Sequence, residues 1–465
     1  MTKRLKTFHL LVFLSPLLLM GDYVVEWTHF LNFLNPYDPL KVYVDNRENI
    51  YVCGNNYRKA FLVKLTQKGG IVWVDTLDYP GSNQIHGITS DEEGYIYLTG
   101  TSNNRCLTVK YSPDGTVLWA RTLGLLPYET GMDVVVGANN QSIYVLVDHG
   151  IIIKYNSEGK LLFYKKINMD SCISLNMMAI DSTNALHVVG KNSRPDSFCG
   201  HIYLYRILKL DSLVNVLWER KCSYFCINTP TDIVVDPYGY SLVVGYTIYY
   251  YAEHPFVFYV MMDSSGAWQN FDLYLPISTC WDEPRCAAID RAGRFYIGEI
   301  IGDMNNYGLC SIIIKCNRYG DLDWYEYVRL STGEISGIYI QDMAMDRNNN
   351  IFIVGYYGIN EESVFVEKIS NIVNVSEKES AHLSLNTPDL CIQKIEFTYS
   401  IDKNLPYTIS IIEADGRVVR KFRGEKPGRF KKSVGSLPGG VYFIVLKQDR
   451  KRLVSKVLLF STIGK

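Results

Sequence analysis

Residues 91–123 read DEEGYIYLTGTSNNRCLTVKYSPDGTVLWARTL. An Asp-x-x-Gly turn leads into an apolar run ending at Gly100, a second run follows from Cys106, and a Pro-Asp-Gly turn introduces a third run around Trp119. Tyr, Val, Ile and Thr at this density favour extended chain. Asp accepts the amides of a tight turn and Gly supplies the positive φ that such a turn needs. The stretch therefore spells strand, turn and strand again, with no 3.6-residue periodicity to suggest a helix.

Much of the chain consists of edited copies of it. The first half recurs from Lys41, Ile88, Val134, Met178, Ile233, Ala287 and Met343, and the second half from Ala60, Cys106, Gly150, Arg206, Phe256 and Cys310. The turn aspartates are Asp45, Asp91, Asp181, Asp236, Asp290 and Asp346, with Ala138 in the remaining slot. Steps of about 46 residues early and about 55 late, with four short strands per step, are the signature of β-propeller blades rather than of a helical solenoid. The seventh copy stops after SVFVEKIS (from Ser363), one strand short, while Asp22–Leu31 (DYVVEWTHFL) is a spare outermost strand. The expectation is an all-β, seven-bladed propeller closed by its N-terminal strand, an arrangement that removes exposed sheet edges.

On these residues the copies resemble the bacterial seven-bladed β-propeller repeat family, whose units run D-x-x-G, then an I-Y-V-x-G strand, a Lys-bearing strand, a second D-x-x-G and a strand with Trp. Asp91, Gly94, Tyr97, Gly100, Lys110, Asp114, Gly115 and Trp119 fill that pattern. The resemblance spans about 350 residues and implies the fold; the family carries no shared activity.

A hydrophobic content of 47% against 20% charged residues suits a large core, not disorder. A net charge of −1 argues against nucleic acid, but the balance is uneven: residues 413–465 carry 14 Lys/Arg and 4 Asp/Glu, so the tail is at +10 and the remainder near −11. A basic tail points to an acidic partner or surface, or to a solvated face. Residues 2–20 (TKRLKTFHLLVFLSPLLLM) have a basic start and a short apolar run, the shape of a secretory signal, with cleavage expected at Gly21–Asp22 and a retained anchor as the alternative.

Insertions gather on one face. Asn192–Leu204, Ile248–Pro255 and Gly302–Leu309 lengthen the second-to-third-strand loops of blades four to six, and Ser223–Pro230 and Pro276–Pro284 lengthen the connections between blades. Loops on a rigid scaffold are where binding tends to reside. The candidate ligand site is a rim of Tyr249, Tyr250, Tyr251, His254, Trp281, Asp282 and Glu283, where aromatic rings beside carboxylates suit a glycan, peptide or matrix polymer. The competing reading is a rim whose tyrosines merely fill space. Of 11 cysteines, Cys53 reads as a buried strand residue, while Cys222, Cys226, Cys280 and Cys286 fall in the long loops, where disulfide staples are expected with connectivity left open. The Asp-x-x-G turns are read as turn chemistry, because one acidic residue per loop is too few for calcium.

After a polar linker, 371–381, residues 382–465 form a separate module of seven short strand-like runs, expected as a small antiparallel β-sandwich. It resembles the C-terminal sorting domain of proteins exported by the type IX secretion system. The carrying residues are Ile411, Asp415, Gly416, Arg417 and Val418, then Leu437, Gly439, Gly440, Val441, Tyr442 and Phe443. That resemblance implies recognition by the secretion machinery and a secreted or outer-surface address.

The chain thus divides into a signal peptide (1–21), the propeller (22–370), the linker and the sorting-type sandwich. No nucleophile elbow, His-Glu-x-x-His, Walker loop or dinucleotide fingerprint is present, so no enzyme, cofactor or metal is expected. The reading is a secreted, monomeric binding protein. The alternatives are an extracellular hydrolase or lyase, for which adjacent acids such as Asp282 and Glu283 would be the starting point, and a structural surface-layer component.

Overall fold

The computed structural model describes residues 23–31, 40–56, 59–79, 81–138, 140–167, 173–196, 200–222, 226–249, 255–273, 281–302, 309–316, 322–330, 336–358, 363–371, 384–386, 390–392, 394–401, 406–413, 418–426, 428–435, 437, 440–448 and 451–460. Among them every regular element is a strand, apart from one 3-10 turn at Asp148–Gly150. None is a helix long and apolar enough to cross a membrane. The chain forms two compact units, Met1–Asn371 and Ile372–Lys465.

In the first unit the described residues form seven antiparallel sheets of four strands, numbered here in chain order. Sheet 1 is Lys41–Val44, Ile50–Asn56, Lys59–Leu65 and Ile71–Leu77. Sheet 2 is Asn83–Ser90, Ile96–Ser102, Arg105–Tyr111 and Val117–Leu123. Sheet 3 is Gly131–Val136, Ser142–Val147, Ile151–Asn156 and Leu161–Lys166, and sheet 4 is Ile173–Ile180, Leu186–Asp196, Gly200–Leu210 and Val216–Cys222. Sheet 5 is Cys226–Val235, Ser241–Tyr249, Pro255–Met262 and Trp268–Leu273, and sheet 6 is Trp281–Ile289, Phe295–Gly302, Leu309–Cys316 and Leu322–Tyr327. Sheet 7 takes Ile338–Met345, Ile351–Tyr357 and Ser363–Asn371 from its own repeat, and Tyr23–Phe30 pairs with the last of these in the register Thr28↔Glu367 and Phe30↔Phe365.

Burial follows strand position. In sheet 2 the first strand alternates between buried and half-buried residues, the second and third are buried almost throughout, and the fourth is largely exposed. A strand covered on both faces must be apolar along its whole length, which is why the middle strands read as unbroken Ile, Leu and Val runs. Seven hydrophobic clusters of the described residues fill the joints between neighbouring sheets. One of them joins Val42, Val52 and Phe61 of sheet 1 to Phe352, Val354 and Val366 of sheet 7.

The strand glycine of the repeat has a steric cause. A Cβ on Gly100 would lie 1.9 Å from the Gln84 carbonyl oxygen, and Gly190, Gly245 and Gly355 meet the first strand of their sheets in the same way. The register of that first strand shifts nearby, between Ile85 and Gly87 in sheet 2 and between Ile340 and Asp342 in sheet 7. Bare backbone lets the bulge form, and the bulge re-aims the residue that follows it.

In the second unit, Ser384–Asn386, Lys394–Ile401 and Gly428–Gly435 make a three-stranded sheet. Leu390–Ile392, Lys451–Phe460, Gly440–Gln448, Tyr407–Glu413 and Val418–Gly424 make a five-stranded one. Tyr399 and Val434 of the first share a core with Ile409, Ile411, Ile444 and Leu446 of the second. The expected purely antiparallel order is corrected at one place: Leu390–Ile392 runs parallel to the last strand, because the chain changes sheet between Ile392 and Lys394.

Candidate binding face and axial cluster

The extra length of sheet 4 is built largely as strand, while most of the inserted residues of sheets 5 and 6, 250–254 and 303–308, lie outside the described residues. The second and third strands of sheet 4 have eleven residues each and stay paired out to Asp196↔Gly200, whereas their counterparts in sheet 2 have seven. At about 3.3 Å per residue, four additional rungs extend the hairpin by about 13 Å. Tyr249 is likewise a strand residue, opposite Cys226. Tyr250, Tyr251 and His254 lie outside the described residues.

Trp281, Asp282 and Glu283 are not rim-loop residues. They open the first strand of sheet 6, opposite Gly302, Ile301 and Ile300, and Asp282 is fully buried. The pleat sends Asp282 and Glu283 to opposite faces of the sheet, and Glu283 accepts a hydrogen bond from Arg285 at 3.1 Å. The Asp282 charge acts on Glu299, from the neighbouring strand. Burial first, and the Asp282 charge second, hold Glu299 well above the usual carboxylate range, and neither Glu299 oxygen has a hydrogen-bond partner. Sequence reading missed this pair because 17 positions separate its members.

The cysteine expectation is corrected at Cys286, a free thiol buried within a strand rather than a loop residue. Its Sγ occupies the space beside Gly298, 2.6 Å from where a Cβ there would lie, and burial pushes its thiol well up. Cys222 ends one strand and Cys226 begins the next; Cys280 lies outside the described residues. Of the tail motif, Leu437 is buried and Gly440, Val441 and Tyr442 begin a strand, while Asp415, Gly416, Arg417 and Gly439 lie outside the described residues.

The turn aspartates are occupied by their own backbones. Asp91 Oδ1 accepts from the amides of Glu93 and Tyr95 at 3.1 and 2.9 Å, and Oδ2 from the Tyr97 hydroxyl at 3.0 Å. Asp45, Asp181, Asp236, Asp290 and Asp346 accept amides in the same two positions. In sheet 3 the slot belongs to Gly137, not Ala138: the Gly137 amide donates to Ser142 and its carbonyl accepts from Asn140, because this turn is one residue longer.

A second set of aspartates, absent from the sequence reading, sits where the first strands converge. Asp133, Asp232 and Asp342 occupy the post-bulge position of sheets 3, 5 and 7, and Lys41 begins the first strand of sheet 1. Each aspartate reaches the next sheet: Asp133 accepts from the Met178 amide at 2.9 Å, Asp232 from Ala287 at 2.8 Å and Asp342 from Val42 at 2.9 Å. Lys41 pairs with Asp342 at 3.5 Å, and the Asp342 charge holds its ammonium above its usual range despite burial. Burial pushes Asp133 up to about 6 and Asp232 up to about 7. The available signal was an Asp four residues before a turn Asp, as in Asp232–Asp236 and Asp342–Asp346. Among the described residues no group of three or more His, Cys, Asp or Glu is placed to hold a metal ion.

Residues 80–105, from just after sheet 1 to the start of the third strand of sheet 2, match a family model described as a beta-propeller repeat. No curated protein matches the chain. The matched repeat and the recurring four-stranded antiparallel sheets together support a propeller-repeat protein.

Proposed function

We propose that the first unit is a closed seven-bladed propeller that serves as an exported binding protein, with its ligand on the face that sheets 4 to 6 enlarge. The ring reading rests on the apolar joint between sheets 7 and 1 and on the pairing of Tyr23–Phe30 with Ser363–Asn371. The ligand face rests on one observation, the eleven-rung hairpin Leu186–Asp196/Gly200–Leu210, which has no counterpart in sheets 1 to 3. A rigid ring that projects one paired hairpin offers a preformed edge and side-chain rows to a glycan or an extended peptide.

The test removes residues 193–203 and joins Asn192 to Leu204 through an Asn-Gly turn. The melting temperature should hold and capture on glycan and peptide arrays should be lost; retained capture would sink the assignment. Export is the second half of the proposal, supported by the basic-apolar segment 2–20 and by the type IX-like motifs of the tail. Fractionation of the native host should find the protein in the medium or on the outer surface, and recovery from the cytoplasm would overturn that half alone.

A further inference from the structure

The second unit has an open side. Val418–Gly424 is the outer strand of the five-stranded sheet and Gly428–Gly435 the outer strand of the three-stranded one; they follow each other in the chain but do not pair. Between them lies a groove of about 690 Å³. Its floor is aromatic. Phe430 stacks on Tyr399 with ring centroids 5.3 Å apart, and Tyr399 packs on Tyr407 at 5.8 Å with their hydroxyls 3.3 Å apart. Tyr399 and Tyr407 are buried, whereas Phe422 and Phe430 are half-buried and keep open surface. Gly424 keeps this floor in place, since a Cβ there would lie 2.4 Å from the Tyr407 hydroxyl.

The walls are cationic. Lys421 and Arg423 come from one edge strand, Lys431 and Lys432 from the other; the pleat turns Lys421, Arg423 and Lys431 to the faces opposite Phe422 and Phe430, so that they rim the groove from outside, and among the described residues no acidic residue lines it. Lys432 lies over the Phe422 ring at 5.1 Å, on the inward side of its strand. Basic residues on edge strands deter sheet-to-sheet association, which accounts for exposed cations but not for an aromatic floor beneath them.

We propose that this groove binds an acidic carbohydrate, with sugar rings lying against Phe422 and Phe430 and anionic substituents meeting Lys421, Arg423, Lys431 and Lys432. Flat apolar ring faces suit the C–H faces of a pyranose, and cations on both walls suit carboxylate or sulfate groups spaced along a polymer. An acidic peptide would use the cations and leave the floor unused, so the combination favours the saccharide. The inference concerns the tail unit alone and does not rest on the ligand face proposed for the propeller.

The experiment uses the full chain in titration calorimetry with polygalacturonate, dextran sulfate, neutral dextran and poly-glutamate. At least one acidic polysaccharide should bind, and neutral dextran and poly-glutamate should each bind at least about tenfold more weakly. Stronger binding of polygalacturonate or of dextran sulfate identifies the anion. The variant Lys421→Gln/Arg423→Gln/Lys431→Gln should lose at least about tenfold in affinity at an unchanged melting temperature. Poly-glutamate binding as tightly as the polysaccharides would reassign the groove to acidic peptides. No binding of either polysaccharide, or full binding by the triple variant, would overturn the proposal.

Discussion

The indole Nε1 of Trp27 donates to the backbone carbonyl of Gln67 at 3.0 Å. Trp119 makes the same bond to Ser157 at 3.0 Å, and Trp218 to Ser264 at 3.3 Å. In the last two cases an outer strand reaches the turn before the outer strand of the next sheet, and the turn glycine lies on the indole: Gly159 on Trp119, Gly266 on Trp218. Trp27 sits in a strand from the start of the chain, yet it meets sheet 1 as the repeat tryptophans meet their own successors.

Trp27→Ala should therefore weaken the whole first unit rather than fray one end. It removes a hydrogen bond and the ring contact with Phe352 at 6.3 Å. For a half-buried indole the loss should be about 2 kcal/mol. Urea unfolding of the variant checks the size, and limited proteolysis checks whether sheets 1 and 7 loosen together. A loss confined to cleavage near residue 31 would contradict the prediction.

Glu367 replaces an aliphatic residue. Its register equivalents in the third strands are Val63, Val109, Ile153, Leu208, Val260 and Ile314. It is fully buried, one oxygen accepts from the Thr28 hydroxyl at 2.8 Å, and burial pushes its carboxyl up to about 8. A carboxyl raised in the folded state keeps its proton where the unfolded chain has already lost it. Its stabilising share is complete at pH values below the ordinary carboxylate range and falls away as pH rises toward 8, by up to about 5 kcal/mol. Glu367→Gln should match the native protein near pH 4 and exceed it at pH 8, read from melting temperatures across that range. Asp133, Asp232 and Glu299 share the sign, so the difference between the two proteins isolates Glu367.

Asp342→Ala would leave the Val42 amide without its acceptor and Lys41 without its 3.5 Å partner, both at the convergence of the first strands. The expected cost is about 2 kcal/mol, mostly from the buried Val42 amide left without its acceptor, with a smaller share from the half-buried Lys41 ammonium. Combining it with Lys41→Met should recover part of the loss by removing the stranded ammonium. Denaturant unfolding of the single and double variants gives the coupling.

The turn aspartates should ignore calcium. Asp91 spends its oxygens on two amides and a tyrosine hydroxyl. Millimolar calcium should leave the melting temperature unchanged. Asp91→Ala should lower stability by about 2 kcal/mol through the unsatisfied amides and the stranded Tyr97 hydroxyl. A calcium-dependent rise that Asp91→Ala abolishes would refute this.

Strand identity, turn positions and the spare strand at Tyr23–Phe30 were legible in the sequence because they are local: side chains alternate with period two, and Asp and Gly mark tight turns wherever they fall. The Asp91 turn is spelled within about ten residues of itself. What only the tertiary structure decided were meetings between distant residues. Asp282 reads as an exposed acid beside Glu283, but strand pairing buries it and gives it Glu299 as neighbour. Asp133, Asp232, Asp342 and Lys41 look like unrelated strand residues until the bulges of different sheets aim them at one another. The basic residues of the tail form a groove only because consecutive strands join different sheets. Burial and charge coupling depend on which strands lie side by side, and that is set by the packing of all the sheets at once.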